Sequence, residues 1–299
     1  MSKAGRRLRN PGPSWGYPFL AWADRWWPKR LFDGCVRFGS GVALFLMVPQ
    51  RRASKEYLER VLDGPVGFHE CLIHFNSLAQ SLILKLRLGR ENRIPDFHMR
   101  KNGLDAAFVE LVQSERPALF GTFHVGHSDL TGCMLGQFGR RVRMVRQRVG
   151  NAYDLKMLER VFGKSVEFVW INEGESMLFA LKSVVEDGAS LALQCDREEH
   201  GSRHHVFDFL GARRRFPVTI YHLSYLFSMP VVFSFGIPVN DEVTEVVCSE
   251  IFEPAGEDRK AILEAGYRHF QGVLDILESV LKAHPYVWFN FQPLNSEAK

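Results

Sequence analysis

The sequence has no CxxC pair, no long apolar run and little excess charge. Its five cysteines (Cys35, Cys71, Cys133, Cys195, Cys248) are odd in number and scattered. That spacing excludes a zinc knuckle, a dithiol redox motif and a disulfide framework, and a reducing, cytosolic setting is the simplest reading. The best apolar stretch, Gly41 to Val48, is far short of the ~20 residues that span a bilayer. Extending it back to Leu31 admits Asp33 and Arg37. The start does not read as a signal peptide, because its basic residues run into Asn10-Pro11-Gly12-Pro13, and Asp24 and Arg25 interrupt the apolar residues beyond. Repeats and low-complexity tracts are also lacking.

What is present is a chain of 299 residues, 46% hydrophobic and 24% charged. It can bury a large core, which excludes disordered and collagen-like classes. The formal charge of +4 is unevenly placed. Residues 1–60 hold twelve Lys/Arg against four Asp/Glu, an excess of eight, so the remaining chain is acidic by four. Four of the six tryptophans, Trp15, Trp22, Trp26 and Trp27, lie in the same leader. A basic, Trp-rich leader on a slightly acidic body is the pattern of a protein held on an anionic surface. We therefore divide the chain into an anchoring helical segment, 1–55, and a body, 56–299. Residues 15–50 are expected to lie on or dip into a membrane, with a true span as the lesser alternative; a surface helix pair packed on the body is the plain one.

Hydrophobic spacing predicts one or two helices over 19–48, broken near Pro28, then helical periodicity over 54–88 and a short helix over 104–113. From Pro117 the pattern changes. Short apolar runs at 118–123, 141–145, 166–171, 190–194 and 231–235 read as strands, with an edge strand over 245–252. Helices at 129–138, 175–186, 217–227 and 258–283 alternate with them. This alternation predicts an α/β fold, a mostly parallel central sheet flanked by helices, with the site at the carboxyl ends of its strands.

The densest polar cluster at a strand end is His124-Val125-Gly126-His127-Ser128-Asp129. A neutral histidine backed by a carboxylate is a general base, and Asp129 is expected to fold back toward the His124 ring. The helix start there also offers backbone N–H groups to an anion. A histidine merely satisfied at a strand end is the plain alternative. Ser128 with His124 or His127 would make an esterase, but no Gly-x-Ser-x-Gly elbow surrounds it. Arg140, Arg141, Arg143, Arg146 and Arg148 spread through one strand and its ends; Arg146 is the site candidate, with Arg140 and Arg141 read as solvated edge charges. Asp196 and Arg197 follow another strand, with structural pairing as the alternative, and Glu173 follows a third; Arg213-Arg214-Arg215 could meet phosphates or an acidic partner, with a plain solvated run as the equal alternative. His200, His204 and His205 fit no metal motif and read as a surface loop.

His124 and Asp129 match an HxxxxD spacing, and the chain resembles the glycerolipid acyltransferase superfamily that carries it, in particular its lipid A biosynthesis (late lauroyl/myristoyl) branch. Residues 17–62 are similar to that family's N-terminal membrane anchor, and Met144-Val145-Arg146 to its strand ending in arginine. Cys195-Asp196-Arg197 resembles its Asp-Arg motif, with Cys195 where glycine is usual. Phe209-Leu210-Gly211, Phe216-Pro217 and Met229-Pro230-Val231-Val232 follow in the family's order, with Thr219 where glycine often stands. Trp288-Phe289-Asn290-Phe291 resembles its closing motif. Asp129 stands where that branch often has glutamate.

The resemblance implies an O-acyltransferase of the inner membrane's cytoplasmic face, peripheral or held by a single N-terminal anchor. It would move a fatty acyl group from acyl carrier protein or acyl-CoA to a hydroxyl of a membrane lipid or glycolipid. His124 would be the base and Asp129 its partner, with Arg146, Glu173, Asp196 and Arg197 binding substrate. Backbone N–H groups near Gly126 or a nearby cation would meet the oxyanion. The thioester is already activated, so no nucleophile, metal or cofactor is required, and no nucleic-acid partner is expected. Two other readings stay open: a serine esterase using Ser128, and a non-catalytic lipid-binding protein with an acyltransferase shell.

Overall fold

The computed structural model describes residues 15–91, 93–146, 166–170, 177–197 and 203–294. Four helices open it: α1 (Gly16–Trp26), α2 (Lys29–Leu46), α3 (Val48–Val61) and α4 (Phe68–Glu91). Pro28, which cannot donate a helical hydrogen bond, separates the first two. The single periodic run expected over 54–88 is two helices, broken where Asp63 turns left-handed (φ 51°) before Gly64-Pro65. Helix α3 runs unbroken through residue 55, so the boundary drawn there between leader and body falls inside a helix. In α2, Phe32, Val36, Ser40 and Leu44 form a buried four-residue stripe; Phe32 and Val36 pack with Ala23 of α1 and Ile83 of α4. Ser40 stays satisfied there because its hydroxyl donates to the Val36 carbonyl at 2.9 Å. Among the described residues no single helix is long and apolar enough to cross a membrane; α2 and α3 together pass on length and composition but are bent by 99°.

The body follows as β1 (Asp96–Met99), α5 (Asp105–Gln113), β2 (Leu119–Thr122), α6 (Thr131–Gln137), β3 (Val142–Arg146), β4 (Glu167–Trp170), α7 (Met177–Glu186), β5 (Ser190–Gln194), β6 (His204–Phe209), β7 (Ala212–Pro217), α8 (Thr219–Phe227), β8 (Val231–Pro238), β9 (Val243–Cys248) and α9 (Arg259–Ala283). Seven strands form one sheet in the order β1-β9-β8-β2-β5-β3-β4, parallel throughout except for the β8–β9 pair. Strand β9, expected at an edge, lies inside it, covered by the unforeseen β1. Strands β6 and β7 make a separate antiparallel hairpin, so His204 and His205 stand on a strand and not in a loop. His205 stacks on Tyr267 with ring centroids 4.3 Å apart.

Alternate residues of the central strands feed two cores. Leu119, Leu191, Val231 and Phe233 pack with α3, α4, α7, α8 and α9, while Phe120, Ala192 and Val232 pack with α5 and α6 on the other face. The chain leaving β2 passes through α6 on one face to β3, beyond β5. The chain leaving β5 passes through α8 on the opposite face to β8, beyond β2. Adjacent β2 and β5 are thus the point where the winding reverses, and in such sheets a site is expected outside the carboxyl ends of these strands. Arg140 is not a solvated edge charge: it is buried, and its guanidinium donates to the Leu111, Ser114 and Arg116 carbonyls at and beyond the end of α5. Arg143 pairs with Glu167 and Asp187 at the surface.

Candidate active site

His124 leaves the end of β2 and Asp196 the end of β5, the two strands at the reversal. The His124 Nδ1 lies 2.6 Å from Asp196 Oδ1, and the His124 main-chain N–H donates to Asp196 Oδ2 at 3.0 Å. The Asp196 carboxyl is fully buried, yet its pKa is pushed down to about 2, because the favourable charges and hydrogen bonds of His124, Arg197 and Trp288 outweigh desolvation. It is therefore an acceptor only, so Nδ1 of His124 carries the proton and donates. Nε2 is left with its lone pair, on a side chain that keeps 22% exposure. Burial lowers the His124 pKa, Asp196 opposes that shift, and the Arg197 and Arg146 charges add to it. The neutral ring is the form present at neutral pH.

Asp129 does not fold back onto this ring. Its carboxylate meets Lys85 of α4 at 2.7 Å, which with Arg146 and His127 holds its pKa low against the cost of burial. The cause is the turn between them. Gly126 is left-handed (φ +49°), and a Cβ there would lie 2.4 Å from the Gly236 carbonyl. The Gly126 and His127 N–H groups donate to the Val287 and Gly236 carbonyls, both at 2.7 Å. This pins the turn against β8 and spends the amides expected to meet an oxyanion. Ser128 is buried, and its Oγ accepts from the Gly236 N–H at 2.9 Å. The two neighbouring rings bond elsewhere, His124 to Asp196 and His127 through Nδ1, 2.9 Å from Thr244 Oγ1. Neither is drawn to the Ser128 hydroxyl.

Arg146 ends β3 as expected, close enough to His124 and Asp129 to act on both charges; its Nη1 is buried and has no hydrogen-bond partner among the described residues. Arg197 reaches the C-terminal segment: Nε donates to Asn290 Oδ1 at 3.2 Å and Nη2 to the Phe289 and Asn290 carbonyls, each at 3.1 Å. Glu173, Arg148 and His200 lie outside the described residues. Among the described residues no group of three His, Cys, Asp or Glu side chains could hold a metal ion.

The segment after α9 closes the site, a role its sequence does not announce. Trp288 Nε1 donates to Asp196 Oδ2 at 2.8 Å, and the Phe289 N–H donates to the His124 carbonyl at 2.6 Å. The one signal is Trp288-Phe289-Asn290-Phe291 itself, aromatics and an amide in a tail too short to be a core helix.

Compared with known families, the chain matches no family model, and no curated protein matches it.

Proposed function

We propose that this chain is an O-acyltransferase working at a membrane surface, moving a fatty acyl group from acyl carrier protein or coenzyme A to a lipid or glycolipid hydroxyl. The observation that carries this reading is the His124–Asp196 pair, whose geometry leaves Nε2 unprotonated on a partly exposed side chain at the strand ends where the winding reverses. As the acceptor oxygen attacks the thioester carbonyl, its proton passes to Nε2. Asp196 balances the imidazolium that forms. The tetrahedral intermediate expels the carrier thiolate, and the imidazolium returns the proton to that sulfur, so an ester and a free thiol result. With the amides of the Gly126 turn already spent, the unmet Nη1 of Arg146 is the donor best suited to the oxyanion or to an anionic group on the acceptor.

The N-terminal helices support a membrane setting. Trp15, Phe19, Trp22 and Trp26 form one exposed stripe on α1 and just before it, and Leu31, Phe38, Val42 and Phe45 form another on α2. An open apolar hollow on α2 is lined by Phe38, Val42, Phe45, Leu46, Phe68 and Leu72, together with Arg37. Aromatics beside Arg25, Lys29, Arg30 and Arg37 suit the interface of an anionic bilayer, which we place at the cytoplasmic face of the inner membrane. The esterase reading lacks its nucleophile, because Ser128 is buried and bonded to the backbone of β8.

Mass spectrometry of lipids from cells with and without the gene, and with the His124→Ala form, tests the proposal. A single lipid class lighter by one acyl chain in the last two cases is expected. Identical lipids in all three would overturn it.

A further inference from the structure

We infer that Trp288 is a positioning residue for the His124 base, its indole N–H fixing the Asp196 carboxylate while its main chain is tied to the N-terminal helices. This rests on the reading of His124 as the proton acceptor. Three donors converge on Asp196: the indole and the His124 main-chain N–H on Oδ2, and the His124 ring on Oδ1. Among the described residues, only the indole comes from outside the two strands that carry the pair. It is held from several sides. Tyr57 of α3 and Phe209 of β6 meet it edge to face, with centroids at 5.0 and 5.5 Å. The Trp288 carbonyl lies 2.8 Å from Nε2 of His74 on α4, whose Nδ1 lies 2.8 Å from Ser54 Oγ on α3. A carbonyl only accepts, so His74 carries its proton on Nε2 and Ser54 donates to Nδ1. Burial, pushing the His74 pKa down to about 4, keeps that ring neutral and this order fixed.

An N–H on the carboxylate draws charge from it and weakens its hold on the imidazolium. Removing that donor therefore strengthens Asp196 toward His124 and raises the pH at which the ring takes a second proton. Among the described residues the other charges facing the pair are Arg197, from the same strand end as Asp196, and Arg146 from β3, both of which oppose that proton. Asp129 and Lys85 neutralise each other nearby.

The test is a titration of the full chain with ¹⁵N-labelled histidine and tryptophan, His124 being identified by its loss in His124→Gln. In the unmodified protein the Trp288 indole resonance is expected to shift with the same midpoint as His124. In Trp288→Phe, which keeps a ring between Tyr57 and Phe209, the His124 midpoint is expected about one unit higher, and the acidic limb of kcat against pH moves with it. An indole resonance that stays flat through the His124 midpoint overturns the inference, as does an unmoved midpoint in Trp288→Phe. Should Trp288→Phe not fold, the indole resonance of the unmodified protein decides. If the unmodified chain transfers no acyl group while indole and ring titrate together, the acyltransferase reading falls and the positioning stands.

Discussion

Asp196 and Asp129 are the two carboxylates to weigh as partners of His124, and they do different work. Asp196 fixes the tautomer, whereas Asp129 neutralises Lys85 and sits beside Arg146. Asp196→Asn is therefore expected to lower kcat by roughly a thousandfold or more, because an amide N–H facing Nδ1 favours the wrong tautomer. Asp129→Asn is expected to act chiefly on stability, by about 3 kcal/mol, through the stranded Lys85 charge. Steady-state rates and melting curves of the two variants check this, and the reverse ranking would contradict it. The sequence points to His124 and to the carboxyl ends of strands. It does not point to the pairing. Spacing suggests the nearest carboxylate along the chain, but the left-handed Gly126 turn sends Asp129 toward α4. The true partner stands 72 residues on, beside His124 only because β2 and β5 pair. Trp288 is more distant still, and nothing local in its neighbourhood shows that a tail indole faces a buried carboxylate.

At the scale of elements, the turn after β2 and the faces of α1 and α2 make the sharpest claims. Gly126→Ala must place a methyl against the Gly236 carbonyl in a left-handed backbone, and a loss of roughly 2 kcal/mol or more is expected in denaturant unfolding. An unchanged unfolding midpoint would contradict the turn described. Replacing Trp22, Trp26, Phe38 and Phe45 together by serine should leave melting nearly unchanged, since all four are exposed. It should also cut partition onto anionic vesicles by at least about tenfold. Undiminished sedimentation with vesicles would show that this face meets something else. Most helices and central strands are legible because their apolar residues keep one period. Strand β1 is not, since Asp96-Phe97-His98-Met99 is short and half polar. Nor is the β6–β7 hairpin, whose Arg213-Arg214-Arg215 reads as a solvated run, although the strand buries Arg214 and leaves Arg213 and Arg215 exposed.

For the whole molecule, the modest net charge conceals a basic leader and an acidic body, and the fold joins them through α4. That helix packs on α2, carries His74 to the closing segment, and presents Lys85 to Asp129. Buried histidines then make the fold acid-sensitive. Burial holds His74 and His127 at pKa values of about 4, against about 6.5 in an unfolded chain. Below about 6.5 the unfolded state takes up protons that the folded state refuses. Stability is thus full above that pH and falls as pH drops toward about 4, by up to about 1.4 kcal/mol per unit for each ring. Asp196, held down at about 2, adds a second loss below about 3.9, where an unfolded aspartate begins to take its proton. Urea midpoints measured from pH 7 to pH 4 should decline through that window, and a flat series would contradict the buried, neutral state of these rings.

Purified protein on lipid vesicles, given an acyl thioester donor, decides whether His124 is the base of an acyl transfer. Thiol release and acylated lipid are counted together. Equal amounts of both are expected from the unmodified chain, and loss of both in a folded His124→Ala variant. Full residual transfer by that variant would contradict it.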